Sequence, residues 1–125
     1  MFSVYHILHM NFGKLIRKSR LQAQAGDRNY SLRKTAERVG IQPSYLSKIE
    51  RGELPPPGEE VICKLAKDLG LDTDIMLAMA GKVSSELLEV IRSRPELFAM
   101  LLRELKSAPD HAVLKLVREV RDGQW

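Results

Sequence analysis

SLRKTAERVGIQPSYLSKIERG, residues 31–52, decides the fold. Ser31 is placed to cap a helix, because its hydroxyl can accept from backbone N–H groups that a first turn leaves unpaired. Leu32, Ala36 and Val39 then fall on one face of a short helix, and Gly40 ends it as a left-handed residue would. A second short helix follows at once. Gln42 is a candidate cap, Pro43 suits the first helical position, where its missing N–H is harmless, and Leu46 and Ile49 share a face. Gly52 stops it.

Helix pairs of this kind occur in many all-helical proteins, so spacing must discriminate. Ala36 stands four residues before Gly40, Leu46 six after it, and Ile49 three further on. A small residue at 36 lets the second helix cross the first closely, and Gly40 permits the turn that sets a steep angle. Leu46 and Ile49 anchor the second helix to a core and leave its other face free.

Outward from this pair, Phe12–Ala23 places Phe12, Leu15, Ile16, Ser19 and Ala23 on a helical stripe, and Gln24–Asn29 (QAGDRN) reads as a loop. Downstream, ELPPPGEE is a stiff, extended connector. Glu59 and Glu60 suit the start of a helix that runs to Leu69 and closes at Gly70. Asp72 or Thr73 caps a further helix through Met79, ended by Gly81. Three more helical segments are expected over Ser84–Ser93, Pro95–Lys106 and Pro109–Arg121. No segment reads as a strand, so the expected fold class is all-α.

The composition, 44% hydrophobic and 29% charged, belongs to a globular chain rather than a disordered one. No apolar run approaches the roughly 20 residues of a membrane span, and MFSVYHILHM at the start lacks a signal peptide's basic region and cleavage site. A single cysteine, Cys63, rules out an internal disulfide framework; set among Val61, Ile62 and Leu65, it reads as a buried small hydrophobe. A cytoplasmic location, nucleoid-associated when bound to DNA, is the expectation. The net charge of +4 is unevenly spread. Residues 12–52 hold ten Lys/Arg against three acids, a net +7, whereas the chain from Glu53 onward is net −3. Clustered positive charge suits a polyanion partner, although it also suits a merely solvated face.

The residues Ser31-Leu32-Arg33, Ala36, Gly40, the run Pro43–Gly52, and Leu65-Ala66 with Leu69-Gly70 resemble the Cro/C1-type helix-turn-helix family, also called the XRE family. The resemblance spans residues 12–80, and the 43–52 run is its most specific part. It implies a five-helix, lambda-repressor-like DNA-binding domain, with the second helix of the pair as recognition helix. Residues 1–11 are then an N-terminal extension, which precedes a true start at Met10 or packs on the core, and 81–125 a C-terminal helical extension.

On that recognition helix, Gln42, Ser44, Tyr45, Ser47 and Lys48 face away from Leu46 and Ile49 and are the expected base readers. Lys14, Arg17, Arg33, Lys34 and Arg51 suit phosphates, which fix register without reading sequence. Arg20, Ala36, Gly40, Leu46, Ile49 and Glu50 are the structural residues of the motif. The resemblance implies that Glu50, an acid that would otherwise repel phosphate, pairs with Arg20. The connection between Arg20 and Ser31, LQAQAGDRNY, is longer than in the shortest family members, which bears on the first-helix phosphate contacts.

No Gly-rich phosphate loop and no Ser/His/Asp arrangement is present, and neither an enzyme nor a cofactor is expected. His6 and His9 lack a nearby carboxylate or thiol, so no metal site is expected. The tail carries many large apolar residues, from Leu87 to Val120. They either add to the core or form a dimerisation element, which would place two recognition helices about 34 Å apart on palindromic double-stranded DNA. A transcriptional regulator, a repressor by the commonest pattern, is the leading expectation. The alternative is an antitoxin-like or adaptor protein whose tail, residues 81–125, binds a partner protein, its DNA binding being autoregulatory. A ligand-responsive regulator is a weaker third, since no sensor domain of useful size follows the head.

Overall fold

In the computed structural model, which describes residues 11–123, helix α1 (Phe12–Gln24) starts at Asn11, whose side-chain Oδ1 accepts from the Lys14 N–H at 2.9 Å. Its buried side is Phe12, Gly13, Leu15, Ile16, Ser19 and Arg20. The helix runs one residue beyond the expected Ala23, and the expected loop after it is partly regular. A 3₁₀ turn forms at Arg28–Tyr30 because the Asp27 carboxylate accepts from the Asn29 N–H at 2.9 Å. This is the local side-chain capture that makes Asp a turn residue.

Helix α2 (Leu32–Val39) is capped by Ser31, whose hydroxyl accepts from the Lys34 N–H at 3.3 Å. Gly40 follows with φ +82°, and two bonds close the end: Ile41 N to Ala36 O at 3.0 Å and Gly40 N to Glu37 O at 3.2 Å. This paired closure needs a left-handed residue, which a side chain at position 40 would strain. Helix α3 (Pro43–Glu50) opens with Pro43 in its first turn. Gln42 occupies the cap position but its side chain makes no capping bond. Its chain is longer than the short Ser, Thr, Asp and Asn side chains that fold back onto the first turn.

Helix α4 (Glu59–Leu69) begins with two acids at its positive end. Helix α5 (Thr73–Met79) is capped by Asp72 rather than Thr73, through a 3.0 Å bond from the Ile75 N–H. The core collects Phe12, Leu15 and Ile16 of α1, Ala36 and Val39 of α2, Leu46 and Ile49 of α3, Ile62, Leu65 and Ala66 of α4, and Met76 and Leu77 of α5. Cys63 corrects an expectation: it is half-buried, packed at the margin of this core instead of inside it. It stands next to Ile62, which takes the inward position on that turn.

Ser19 is buried with its hydroxyl unpaired among the described residues. A buried unpaired hydroxyl is destabilising, and alanine is the better helix former. Ser19→Ala is therefore expected to raise stability by up to about 1 kcal/mol, read from the midpoint of urea unfolding; a lowered midpoint would contradict it.

The chain divides into two compact units, one ending at Ser84 and the other beginning at Ser85. The second contains α6 (Ser85–Ser93), α7 (Pro95–Leu105) and α8 (Asp110–Asp122). Their ends differ by one residue from those expected; Pro109, for instance, precedes its helix as the cap residue. Among the described residues of this unit none is buried. The described chain is thus all-helical, with eight α-helices and no strand.

Candidate nucleic-acid interface

Helix α3 has two unlike sides. Leu46, Ile49 and Glu50 are buried, while Ser44, Lys48 and Arg51 are exposed. Those three exposed positions follow one another at i, i+4 and i+7, so they form a single line along the helix. Gln42 is exposed at the head of the helix. Tyr45 and Ser47 are half-buried on the flanks, and the Tyr45 ring packs against the core. The open part of the face is therefore narrower than the five expected readers, with Gln42, Ser44 and Lys48 at its centre.

Three devices hold this helix. Its last turn closes through Gly52 (φ +74°), with Gly52 N to Ile49 O at 3.1 Å and Glu53 N to Lys48 O at 2.9 Å. The second is Gly13 of α1, where the two backbones almost touch. A Cβ at Gly13 would lie 2.3 Å from the Ile49 carbonyl oxygen and 3.1 Å from that of Glu50. Sequence reasoning did not single out Gly13, although a glycine inside a helical stripe is a signal for close backbone approach. The third is a bidentate ion pair: Arg20 Nε donates to Glu50 Oε2 at 2.8 Å and Arg20 Nη2 to Glu50 Oε1 at 2.9 Å. Both side chains are under one tenth exposed. Arg20 Nη1 also donates to Gln24 Oε1 and to the Tyr30 carbonyl, each at 3.3 Å. One guanidinium thus joins α1, the 3₁₀ turn and α3.

A second arginine, which sequence reasoning passed over, fastens the turn from the other side. Arg38 of α2 pairs with Asp68 of α4 at 2.7 and 3.0 Å, donates to the Asn29 carbonyl and lies over the Tyr30 ring at 4.9 Å. The Asp68 hydrogen bond, more than any other influence, holds its pKa above the ordinary arginine value. The long connection between Arg20 and Ser31 is therefore anchored at consecutive carbonyls by two arginines.

The expected phosphate residues Lys14, Arg17, Arg33, Lys34 and Arg51 are all exposed. Arg33 is 4.0 Å from Glu37, Lys34 Nζ is 3.4 Å from Asn29 Oδ1, and Arg51 pairs with Glu53 at 3.0 Å. Exposed contacts of this kind contribute about 0–1 kcal/mol, so a phosphate can displace the acceptors Glu37, Asn29 and Glu53. Among the described residues no cluster of three or more His, Cys, Asp or Glu could hold a metal ion, and no helix is long and apolar enough to cross a membrane. His6 and His9, and a start at Met10, lie outside the described residues.

Comparison with known proteins agrees with this geometry. The model of the helix-turn-helix family matches residues 21–76. Two relatives are named uncharacterized HTH-type transcriptional regulators, from two strains of Mycobacterium tuberculosis. Each is 35% identical over 61 residues, which is 49% of this chain. The chain spans only 43% of the length of these relatives. No solved structure matches. Residues 21–76 therefore match the helix-turn-helix family, of the XRE type, and the all-helical structure fits a lambda-repressor-like fold.

Proposed function

We propose that the chain binds double-stranded DNA sequence-specifically and regulates transcription, as a repressor that occludes a promoter. The observation that carries this reading is the braced helix α3, with Gln42, Ser44 and Lys48 exposed while its opposite side is buried. Gln and Lys donate to base edges in the major groove, and Ser serves either kind of partner. Tyr45 and Ser47 contribute from the flanks of the helix. Lys14, Arg17, Arg33, Lys34 and Arg51 take phosphates, in keeping with the +7 charge of residues 12–52. The names of the relatives support a role in transcription.

In this reading residues 12–80 are the DNA-binding domain and 81–125 the dimerisation element. Leu97, Met100, Leu102 and Val120 of the second unit are each more than half exposed. Apolar surface of that kind favours association, and a two-fold dimer matches a palindromic operator. Sedimentation is expected to give a dimer at tens of micromolar; a monomer there would instead favour an adaptor whose tail awaits a different protein.

Two substitutions separate reading from positioning. Lys48→Ala is expected to weaken binding to the selected duplex by about 1–3 kcal/mol and to relax preference at one base pair. Arg33→Ala is expected to weaken binding to all duplexes alike and to flatten the salt dependence by about one unit. Titrations at several salt concentrations measure both. Unchanged binding by both variants would contradict the proposal.

A further inference from the structure

Where the connector after α3 passes the start of α1 lies a groove of about 420 Å³. Its walls are Phe12 of α1, Ile49 of α3, Leu54, Pro55 and Pro56 of the connector, and Met79 of α5. We propose that this groove seats the chain's own first residues as an intramolecular strap, with Ile7, Leu8 and Met10 supplying the side chains that fill it. The proposal does not depend on the DNA-binding reading.

The groove is apolar beside a basic region. Of its ten lining residues only Asn11 and Glu53 carry polar side chains. Both are engaged locally: Asn11 Oδ1 accepts from the Lys14 N–H at 2.9 Å, and Glu53 pairs with Arg51 at 3.0 Å. Leu54 is 39% exposed, Pro55 is exposed and Met79 is half-buried. Apolar surface gathered in a concave place is stabilised by being covered. A charged occupant would lose hydration there without gaining a partner, so the groove suits an uncharged one.

The chain supplies such a segment. Residues 1–10, MFSVYHILHM, hold no Lys, Arg, Asp or Glu and are rich in large apolar residues. Asn11, to which they are joined, stands at the lip of the groove. Its own backbone is extended (φ −81°, ψ 168°), so α1 does not continue back through it. Four extended residues span at most about 13–14 Å, which keeps Ile7, Leu8 and Met10 within reach of the groove. A tethered segment also needs little affinity, because its effective concentration is on the order of millimolar. The floor adds a reason for covering the groove. Gly13 and Ile49 both line it, so a seated strap shields the place where the backbones of α1 and α3 almost touch.

The test uses the full chain carrying Cys63→Ser and a nitroxide on His6→Cys, and reads paramagnetic broadening of backbone amide signals. Gly52, Glu53, Leu54 and Met79 are expected to broaden, while Gln24 at the far end of α1 is not. Ile7→Ser together with Leu8→Ser is expected to abolish that selectivity. In urea, with Cys63 in place, the same two changes are expected to lower the folded-to-unfolded ratio about tenfold. Leu54→Ser is expected to cost much less in that variant than in the parent, because the two sides of one contact do not add. Broadening spread evenly about the start of α1, an unchanged urea midpoint, or additive losses would overturn the strap. Broadening seen only when nitroxide-bearing chains are mixed with isotope-labelled chains that lack the nitroxide would overturn it too, by assigning the groove to a second copy.

Discussion

Glu50→Ala is expected to lower the stability of the helix-turn-helix unit by about 3–5 kcal/mol. The reason is asymmetric. Arg20 and Glu50 share two hydrogen bonds of 2.8 and 2.9 Å and are both under one tenth exposed. Removing the carboxylate leaves a guanidinium buried with its charge unmatched, and that charge, rather than the lost attraction, accounts for most of the cost. Since small domains are stable by only about 5–15 kcal/mol, the variant should be close to unfolded at physiological temperature. Replacing both partners, as in Arg20→Met with Glu50→Leu, should recover most of the loss, because no charge then remains buried. Chemical denaturation of the single and double variants supplies the cycle. A loss below about 1 kcal/mol for Glu50→Ala would mean that the pair behaves as a surface contact.

The second large effect is expected at Gly13. Alanine is favoured over glycine inside a helix by about 1 kcal/mol, so Gly13→Ala on an isolated α1 would stabilise it. In the folded chain the added Cβ would lie 2.3 Å from the Ile49 carbonyl oxygen, an overlap that only backbone movement can relieve. Overpacking of side chains costs about 1–3 kcal/mol, and a clash with backbone belongs at the upper end or above it. The clash therefore wins, and the net expected loss is about 2 kcal/mol or more. Because the displaced atoms belong to the last turn of α3, binding to the selected duplex should weaken as well, even where the protein is folded. Denaturation midpoints and duplex titrations read the two effects separately; a stability equal to or above that of the parent would contradict the close approach.

These two residues show what was legible in the sequence and what was not. Arg20 and Glu50 could be matched in advance because the family pattern carries the pair, thirty positions apart. Gly13 falls beside the stripe of Phe12, Leu15, Ile16, Ser19 and Ala23, and its purpose depends on how closely α1 crosses α3, which periodicity does not encode. The ends of α2 and α3 were plain because Ser31, Gly40, Pro43 and Gly52 act locally. The 3₁₀ turn at Arg28–Tyr30 was harder: Gly, Asp and Asn together signal a loop, but its anchorage comes from Arg20 and Arg38 on two different helices. Nothing in the sequence singles out Arg38 among the ten Lys/Arg of residues 12–52, since Asp68 reaches it only after the chain has turned twice. The narrowing of the open face of α3 at Tyr45 follows from the same cause. A ring on a helical wheel points outward until a neighbouring element covers it.

The central claim is that the open face of α3 reads base pairs. Selection of bound duplexes from a random pool, run in parallel with the parent chain and with Lys48→Ala, tests it most directly. The account predicts that the parent pool converges on one motif, and that the variant pool keeps the motif except at the position Lys48 contacts, where preference is lost. A parent pool that does not converge, or a motif left unchanged by Lys48→Ala, Ser44→Ala and Gln42→Ala alike, would contradict it.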